Sequence, residues 1–349
     1  LKVTKEKLKH LIENKLTQAG LPFDQAGIVA DVLVFADARG VHSHGAIRVE
    51  YYCERICRGG INAHPQYAIE KIGPSAAVFH GDNGPGQVAA KKAMDEAIRI
   101  AKETGIAVVG VKKISHSGAL SYFVQQAAEV EMIGISVCQA DPMAVPYGGT
   151  EPYYGTNPIA FAAPGKDGKM ITFDMATTVK PWGKILDARS KLESIPETWA
   201  VDQHGNSTAD PFKVTGLNPI AGAKGFGLAM MVDVLSGVLL GLPFGSRVTP
   251  LYGDLTQGRD LGQLHIVINP AFFTDLETFE QNISQTMGDL NNMKPAPGFD
   301  QVLYPGQGSQ ARELESEQHG IEIVDEIYNY LISDIIHHDR YHNYDPFAT

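Results

Sequence analysis

Apolar positions recur with helical spacing over residues 4–19 and again over 24–38, and a Gly-Leu-Pro break at 20–22 parts the two runs. Thr4 stands where it can cap the first helix, although Lys7 occupies the place of the reciprocal acidic partner. A third helix is expected over 45–57, opening just after the triplet His42-Ser43-His44. Beyond it the pattern changes to short apolar runs of strand character separated by helical stretches. "AAVFHGD" precedes a helix over 86–103, "GIAVVGVKK" follows it, 117–130 is helical, and "MIGISVCQA" reads as a strand. The middle, 140–220, is richer in proline and glycine and holds the strand-like "MITFDMATT". At 224–241, "KGFGLAMMVDVLSGVLLG" is too short and too broken by glycine for a membrane span, which predicts a buried helix. "GQLHIVINPAFF" is a further strand, and 275–292 and 310–335 are helical. The pattern predicts an α/β (α+β) chain whose N-terminal helices pack with the C-terminal helix beside a central α/β region.

Composition narrows the chemistry. With 349 residues, 44% hydrophobic and 20% charged, the chain has the make-up of a globular protein with a sizeable core. A net charge of −11 leaves no diffuse basic surface for nucleic acid or an anionic membrane, so an anionic substrate must be met by individual arginines. Three cysteines are too few for a disulfide framework. Cys53 and Cys57 share a helix face, but no partner pair of zinc-like spacing exists, so buried thiols in a reducing cytoplasm are expected and no metal. The charged amphipathic start carries no secretory apolar core, which predicts a cytoplasmic protein. The tail "HHDRYHNYDPFAT" predicts only exposed histidines.

The residues around 42–52 offer more. Placed at the edge of a helix opening near Gly45, His44 would share a small molecule with Arg48, one turn inside. Arginine matches a carboxylate with paired N–H donors, and histidine titrates close to neutral pH. Ser43 can orient an imidazole, and Tyr51 and Tyr52 add hydroxyls. Caps and solvated charges would use the same residue types, and a His-x-His pair without a placed third ligand makes a poor metal site. His116 follows a strand in a Ser-His-Ser-Gly turn before a helix, where α/β proteins hold ligands. Lys224 opens a helix beside two glycines, and Asp174 ends a strand where it can cap, bind a ribose hydroxyl or orient a base. Gly84, Gly86 and Ala89 mimic a dinucleotide fingerprint. Pro85 fills its first spacer, and the following strand ends in lysines where an acidic residue belongs, so a glycine turn at a helix start is as good a reading. A non-catalytic metabolite binder, or zinc hydrolysis through His42, His44 and His116, are the rivals from other classes.

Together "RGVHSHG" with Arg48, "GPGQ", "SHSGA", "YGTNPIAFAAP", "FDMATT", "KGFGLAMMVDVLSG" and "GQLHIVINP" resemble the type 2 malate/L-lactate dehydrogenase family from residue 2 to the C-terminus. The resemblance implies NAD as cofactor, a small 2-hydroxy acid as substrate, and a homodimer with sites near the subunit interface. It implies a non-Rossmann cofactor domain with a mixed sheet over 73–307, and a helical domain formed by 1–72 and 308–349. By matching positions, His116 is the base that takes the hydroxyl proton. In some members that duty falls to the histidine at the place of His44, supported by the serine at Ser43. Arg48 and Tyr52 line the substrate pocket, and Arg259 is a second anion clamp. The cofactor positions correspond to Ala140, Asp174, Met175, Ala176, Lys224, Asn282, Ile283 and Ser284. Close relatives carry serine at 140, so Ala140 retains only a backbone contact; 282–284 also departs from their pattern.

Overall fold

The computed structural model describes residues 1–346. In chain order the elements are β1 (Lys2–Val3), α1 (Lys5–Gln18), α2 (Phe23–Ala38), α3 (Val49–Cys57), β2 (Ala68–Lys71), β3 (Ala76–His80), α4 (Gly86–Thr104) and β4 (Ile106–Ile114). There follow α5 (Ser121–Ala128), β5 (Ile133–Cys138), β6 (Ile159–Pro164), β7 (Met170–Met175), α6 (Trp182–Lys191), β8 (Ala200–Val201), β9 (Gly216–Leu217) and α7 (Ala223–Ser236). The chain continues through β10 (Leu261–Ile268), α8 (Leu276–Asn292), α9 (Gln307–His319), β11 (Ile321–Glu322) and α10 (Asp325–Ile332).

The centre is a seven-stranded mixed sheet in the order β2-β3-β4-β10-β5-β6-β7. β3 and β4 run parallel; every other neighbouring pair is antiparallel. β10 lies in the middle and alternates its side chains between two cores. His265 reaches Ala90 O of α4 at 3.1 Å, while Leu264 packs with Val232 of α7. Helices therefore cover both faces, which is why β10 is buried at almost every position.

A second apolar core joins the chain's two ends. Leu8, Ile12, Leu16, Leu33 and Tyr51 pack with Ile321, Ile323 and Leu331, and β1 pairs antiparallel with β11. Lys5 bridges from α1 to Glu313 and Glu317 of α9 at 3.2 and 2.8 Å. Thr4 caps α1 by accepting from Lys7 N at 3.3 Å.

Several expectations need correction; among them Cys57, read as a buried thiol, is exposed. The helix expected over 310–335 is two helices separated by β11. Gly320 sits at φ 83°, a left-handed backbone that L side chains rarely adopt, and it abuts the Val3 backbone, so the chain turns there into a strand. The helix over 117–130 starts only at Ser121, because 115–120 forms an extended turn. The apolar stretch 224–241 is helical to Ser236 and then tightens, but it is not buried on all sides. Met230, Met231, Val234, Val238 and Leu239 are each at least 41% exposed, since only one side of α7 meets β5 and β10. Ala223–Leu240 is also long and apolar enough, by length and composition alone, to pass for a membrane span.

Candidate active site

The first wall of the site is the loop between α2 and α3. His42–His44 and Ala46–Arg48 are tight 3-10 turns, and the α-helix begins only at Val49, so Arg48 is its N-cap and not a residue one turn inside. Buried Asp37, at the end of α2, organises the loop: its carboxylate accepts from Ala46 N at 2.7 Å and pairs with His42 Nδ1 at 2.9 Å. His42 is thereby drawn away from the other two imidazoles. Ser43 Oγ lies 3.0 Å from His44 Nδ1. Arg48 donates from Nε to Ser43 O at 2.8 Å and from Nη1 to Tyr252 Oη at 3.1 Å.

The second wall is the turn after β4. Ser115 N donates to Gly84 O at 3.1 Å, and a Cβ on Gly86 would lie 2.2 Å from Ser115 O. The glycine turn that mimicked a dinucleotide fingerprint thus lets the start of α4 pack directly under His116. His116 Nδ1 lies 2.7 Å from Tyr52 Oη, and its ring stacks on that of His44 at 5.5 Å between centroids. The two walls meet at these imidazoles.

Around them lies an inner chamber of about 60 Å³, bordered by His44, His116, Ala140 and Arg259. It shares His44, Gly118, Thr156 and Pro158 with an outer cavity of about 460 Å³ that reaches Asp174 and Ala176. Size alone does not mark the site, because a larger cavity of about 740 Å³ opens elsewhere, between α3 and the C-terminal segment. What distinguishes the inner chamber is unsatisfied polarity. Ser115 Oγ and Gln263 Oε1 at its wall, and Gln125 Nε2 and Thr172 Oγ1 at the outer one, are buried without partners. Buried polar atoms of this kind are costly unless a ligand or water completes them.

Charge is arranged with equal economy. Burial, with Arg48 nearby, pushes His44 down to about 4. Burial, then His44, Arg48 and Arg259, hold His116 well below the ordinary histidine value. Both rings are therefore neutral at physiological pH, each keeping a ring nitrogen with a free lone pair. Burial raises the Asp174 carboxyl, which accepts from Ser121 N at 2.8 Å and so caps α5 across the sheet edge. Arg259 is 1% exposed; its Nη2 is ion-paired with Asp141 and hydrogen-bonded to Thr249 O, and its Nε also donates to Thr249 O. It is a tethered cation, with only Nη1 outside those bonds.

The structure brings Ser43, His44, Arg48, Tyr52, His116, Ala140 and Arg259 together, with Asp174 and Ala176 at the outer cavity. Arg48 and Tyr52 stand beside the rings and are not part of the chamber wall as such. Met175, Lys224 and Asn282–Ser284 do not border either space. Lys224 is exposed in the first turn of α7. Ser284 on α8 accepts from Lys166 N at 2.8 Å. Sequence reasoning missed Asp37, Tyr252, Asp141 and Asn157, which accepts from Ala140 N at 3.1 Å. Tyr252 lies 204 positions from the arginine it contacts, and no local pattern announces such a partner.

The chain has relatives among known proteins. The profile of the malate/L-lactate dehydrogenase family matches residues 3–332. The chain is 60% identical over 348 residues, covering 100% of both chains, to ureidoglycolate dehydrogenase (NAD(+)) of Escherichia coli strain K12. Its fold matches sulfolactate dehydrogenase from Methanocaldococcus jannaschii, with a TM-score of 0.89 at 38% identity over 95% of each chain. It also matches malate dehydrogenase from Pyrococcus horikoshii OT3, with a TM-score of 0.86 at 36% identity over 95% of this chain and 93% of that one.

Proposed function

The chain belongs to the malate/L-lactate dehydrogenase family, and from that membership we propose that it oxidises (S)-ureidoglycolate to oxalurate with NAD, by hydride transfer. Such a step would serve allantoin and purine nitrogen breakdown in the cytoplasm. The observation that carries the reading is a pair of stacked, neutral imidazoles beside a guanidinium whose protein partners are both uncharged. To it the 60% full-length identity to the E. coli enzyme adds the substrate.

The outer cavity suits the cofactor, since its wall holds a buried amide N–H and a hydroxyl that lack partners. Ala140, Asp174, Met175 and Ala176 would hold NAD near the chamber, with Lys224 on α7 and Asn282, Ile283 and Ser284 on α8 for its remainder. When bound, NAD supplies the hydride acceptor. The chain's own residues do the rest. Arg48 binds the substrate carboxylate through its Nη1/Nη2 end, with Arg259 as a second cation facing the same chamber. His116 takes the hydroxyl proton at Nε2, its Nδ1–H donating to Tyr52 Oη so that the free lone pair faces inward. His44, oriented by Ser43, assists at the same oxygen.

The apolar stripe of α7 is part of the proposal too: Met230, Met231, Val234 and Leu239 would be covered by a second copy in a homodimer. So is the division into a helical unit, 1–72 with 308–349, and a cofactor unit over 73–307 built on a sheet unlike the parallel Rossmann kind. Residues 68–71 join the sheet from the other side of that boundary.

A panel of ureidoglycolate, malate, L-lactate, sulfolactate and a diketo-sugar acid, each with NAD and NADP, tests the reading. Ureidoglycolate with NAD should give the highest kcat/KM by a wide margin. If another 2-hydroxy acid leads, the alternative of a dehydrogenase for that acid replaces this substrate.

A further inference from the structure

The C-terminal tail, which promised only exposed histidines, is held by three buried charges. Lys15, 1% exposed, donates to the carbonyls of Ser333 and Ile335 at 2.5 and 2.6 Å. Glu50 accepts from the backbone N–H of His338 at 3.0 Å and pairs with its Nδ1 at 2.5 Å. Glu54, 0% exposed, accepts from the N–H groups of Tyr341 and His342 at 3.0 Å each. Burying an ammonium and two carboxylates carries a desolvation cost of several kcal/mol per ion unless each is well satisfied. A tail with no task would not need that much fastening.

What the fastened tail touches is the support of Arg48. Asn343 N donates to Gly253 O at 2.7 Å, which lays residues 341–344 along the loop that carries Tyr252. Tyr341 stacks on the Tyr252 ring at 5.7 Å and 16°, and Tyr344 meets it edge-on at 5.0 Å and 87°. From α3, Tyr51 meets the same ring edge-on at 5.7 Å. The ring is thus fixed on three sides, with its hydroxyl accepting from Arg48 Nη1 at 3.1 Å. An arginine side chain has long rotamer freedom and five N–H donors. The bonds to Ser43 O and Tyr252 Oη use two of those donors, set the plane of the guanidinium, and leave its outer end for a ligand.

We propose that residues 337–345 form a positioning strap and that Tyr252 is the positioning residue through which it fixes Arg48 for a carboxylate. The inference rests on the reading of Arg48 as the carboxylate clamp. Neither Tyr252 nor the strap touches the reacting atoms; both act by lowering the cost of ordering the guanidinium before the acid arrives. The strap therefore bears on binding of the acid and not on proton or hydride transfer.

The test is steady-state kinetics of Tyr252→Phe and Tyr341→Ala, each alone and in an Arg48→Lys background, with ureidoglycolate and NAD varied separately. Tyr252→Phe should raise KM for the acid about tenfold, the scale of a hydrogen bond to a charged group, with kcat and KM for NAD within about twofold. Tyr341→Ala should move KM the same way by a smaller factor. Both effects should disappear in the Arg48→Lys background, because the route through Arg48 is gone. The strap is overturned if Tyr252→Phe leaves KM for the acid unchanged, or depresses kcat and NAD binding alike, or keeps its full effect beside Arg48→Lys. Should Tyr341→Ala fail to fold, the near-isosteric Tyr252→Phe decides alone. An Arg48→Lys enzyme with unaltered KM for the acid would instead sink the clamp itself, an outcome distinct from a clamp that works without its strap.

Discussion

Two arginines flank the paired imidazoles, and they are held on opposite principles. On the wall of residues 42–52, Arg48 has a carbonyl and a phenol as partners, so its positive charge is left uncompensated. On the loop before β10, Arg259 borders the chamber more directly but is ion-paired with Asp141 and bonded to Thr249 O. The first arrangement is poised to take an anion; the second is already satisfied and holds the loop 249–251 to β5's end. The histidines differ too. His44 leans on an exposed serine, whereas His116 is fixed by the buried Tyr52. One wall supplies charge, the other supplies a rigid base.

The contrast is broken hardest at Arg259. Arg259→Met strands Asp141 without its cation and should cost about 3 kcal/mol of stability, the scale for breaking a buried pair. Arg48→Met should cost little, and urea unfolding of both variants compares them directly. Next comes His116→Ala, which should lower kcat at least about a hundredfold while NAD affinity, read by cofactor fluorescence, stays within about twofold. Retained turnover would shift the base to His44. Arg48→Lys should raise KM for the acid about tenfold, because an ammonium cannot reproduce the planar fork.

A separate handle is pH. Burial and Arg48 hold His44 at about 4 in the folded chain, against about 6.5 unfolded. Between those values the unfolded chain takes up a proton that the folded one refuses, so stability is full above about 6.5 and declines as pH falls towards about 4. His44→Asn should make that decline shallower in thermal melts, with buried His116 and His265 supplying the remainder. An unchanged slope would place the titration elsewhere.

How far the sequence foretold this depends on the range of the interaction. Helices α1, α2 and α4 and the strands β4, β5 and β10 were legible because their periodicity is local, and so were the terminal cap at Thr4 and the break at Gly20. His44, Arg48 and His116 were legible as chemistry because each sits in a short loop of unusual polarity. One continuous helix over 310–335 does not form, since only contact with β1 at the far end of the chain makes Gly320 a turn and 321–322 a strand. The all-round apolar pattern of α7 could not say which side would face the sheet. Tyr252, Asp141 and the anchoring of the tail by Lys15, Glu50 and Glu54 were invisible, because side-chain partners hundreds of positions apart leave no period to read. The thirteen residues from 337 to 349 read as a loose end for that reason.

The most direct measurement is a crystal structure of the enzyme with NAD and a non-reacting 2-keto acid bound together. The carboxylate should lie on the outer end of Arg48 and the keto oxygen within hydrogen-bond reach of His116 Nε2, beside the nicotinamide. A carboxylate bound at Arg259 with Arg48 untouched, or an acid lying away from both imidazoles, would contradict that arrangement.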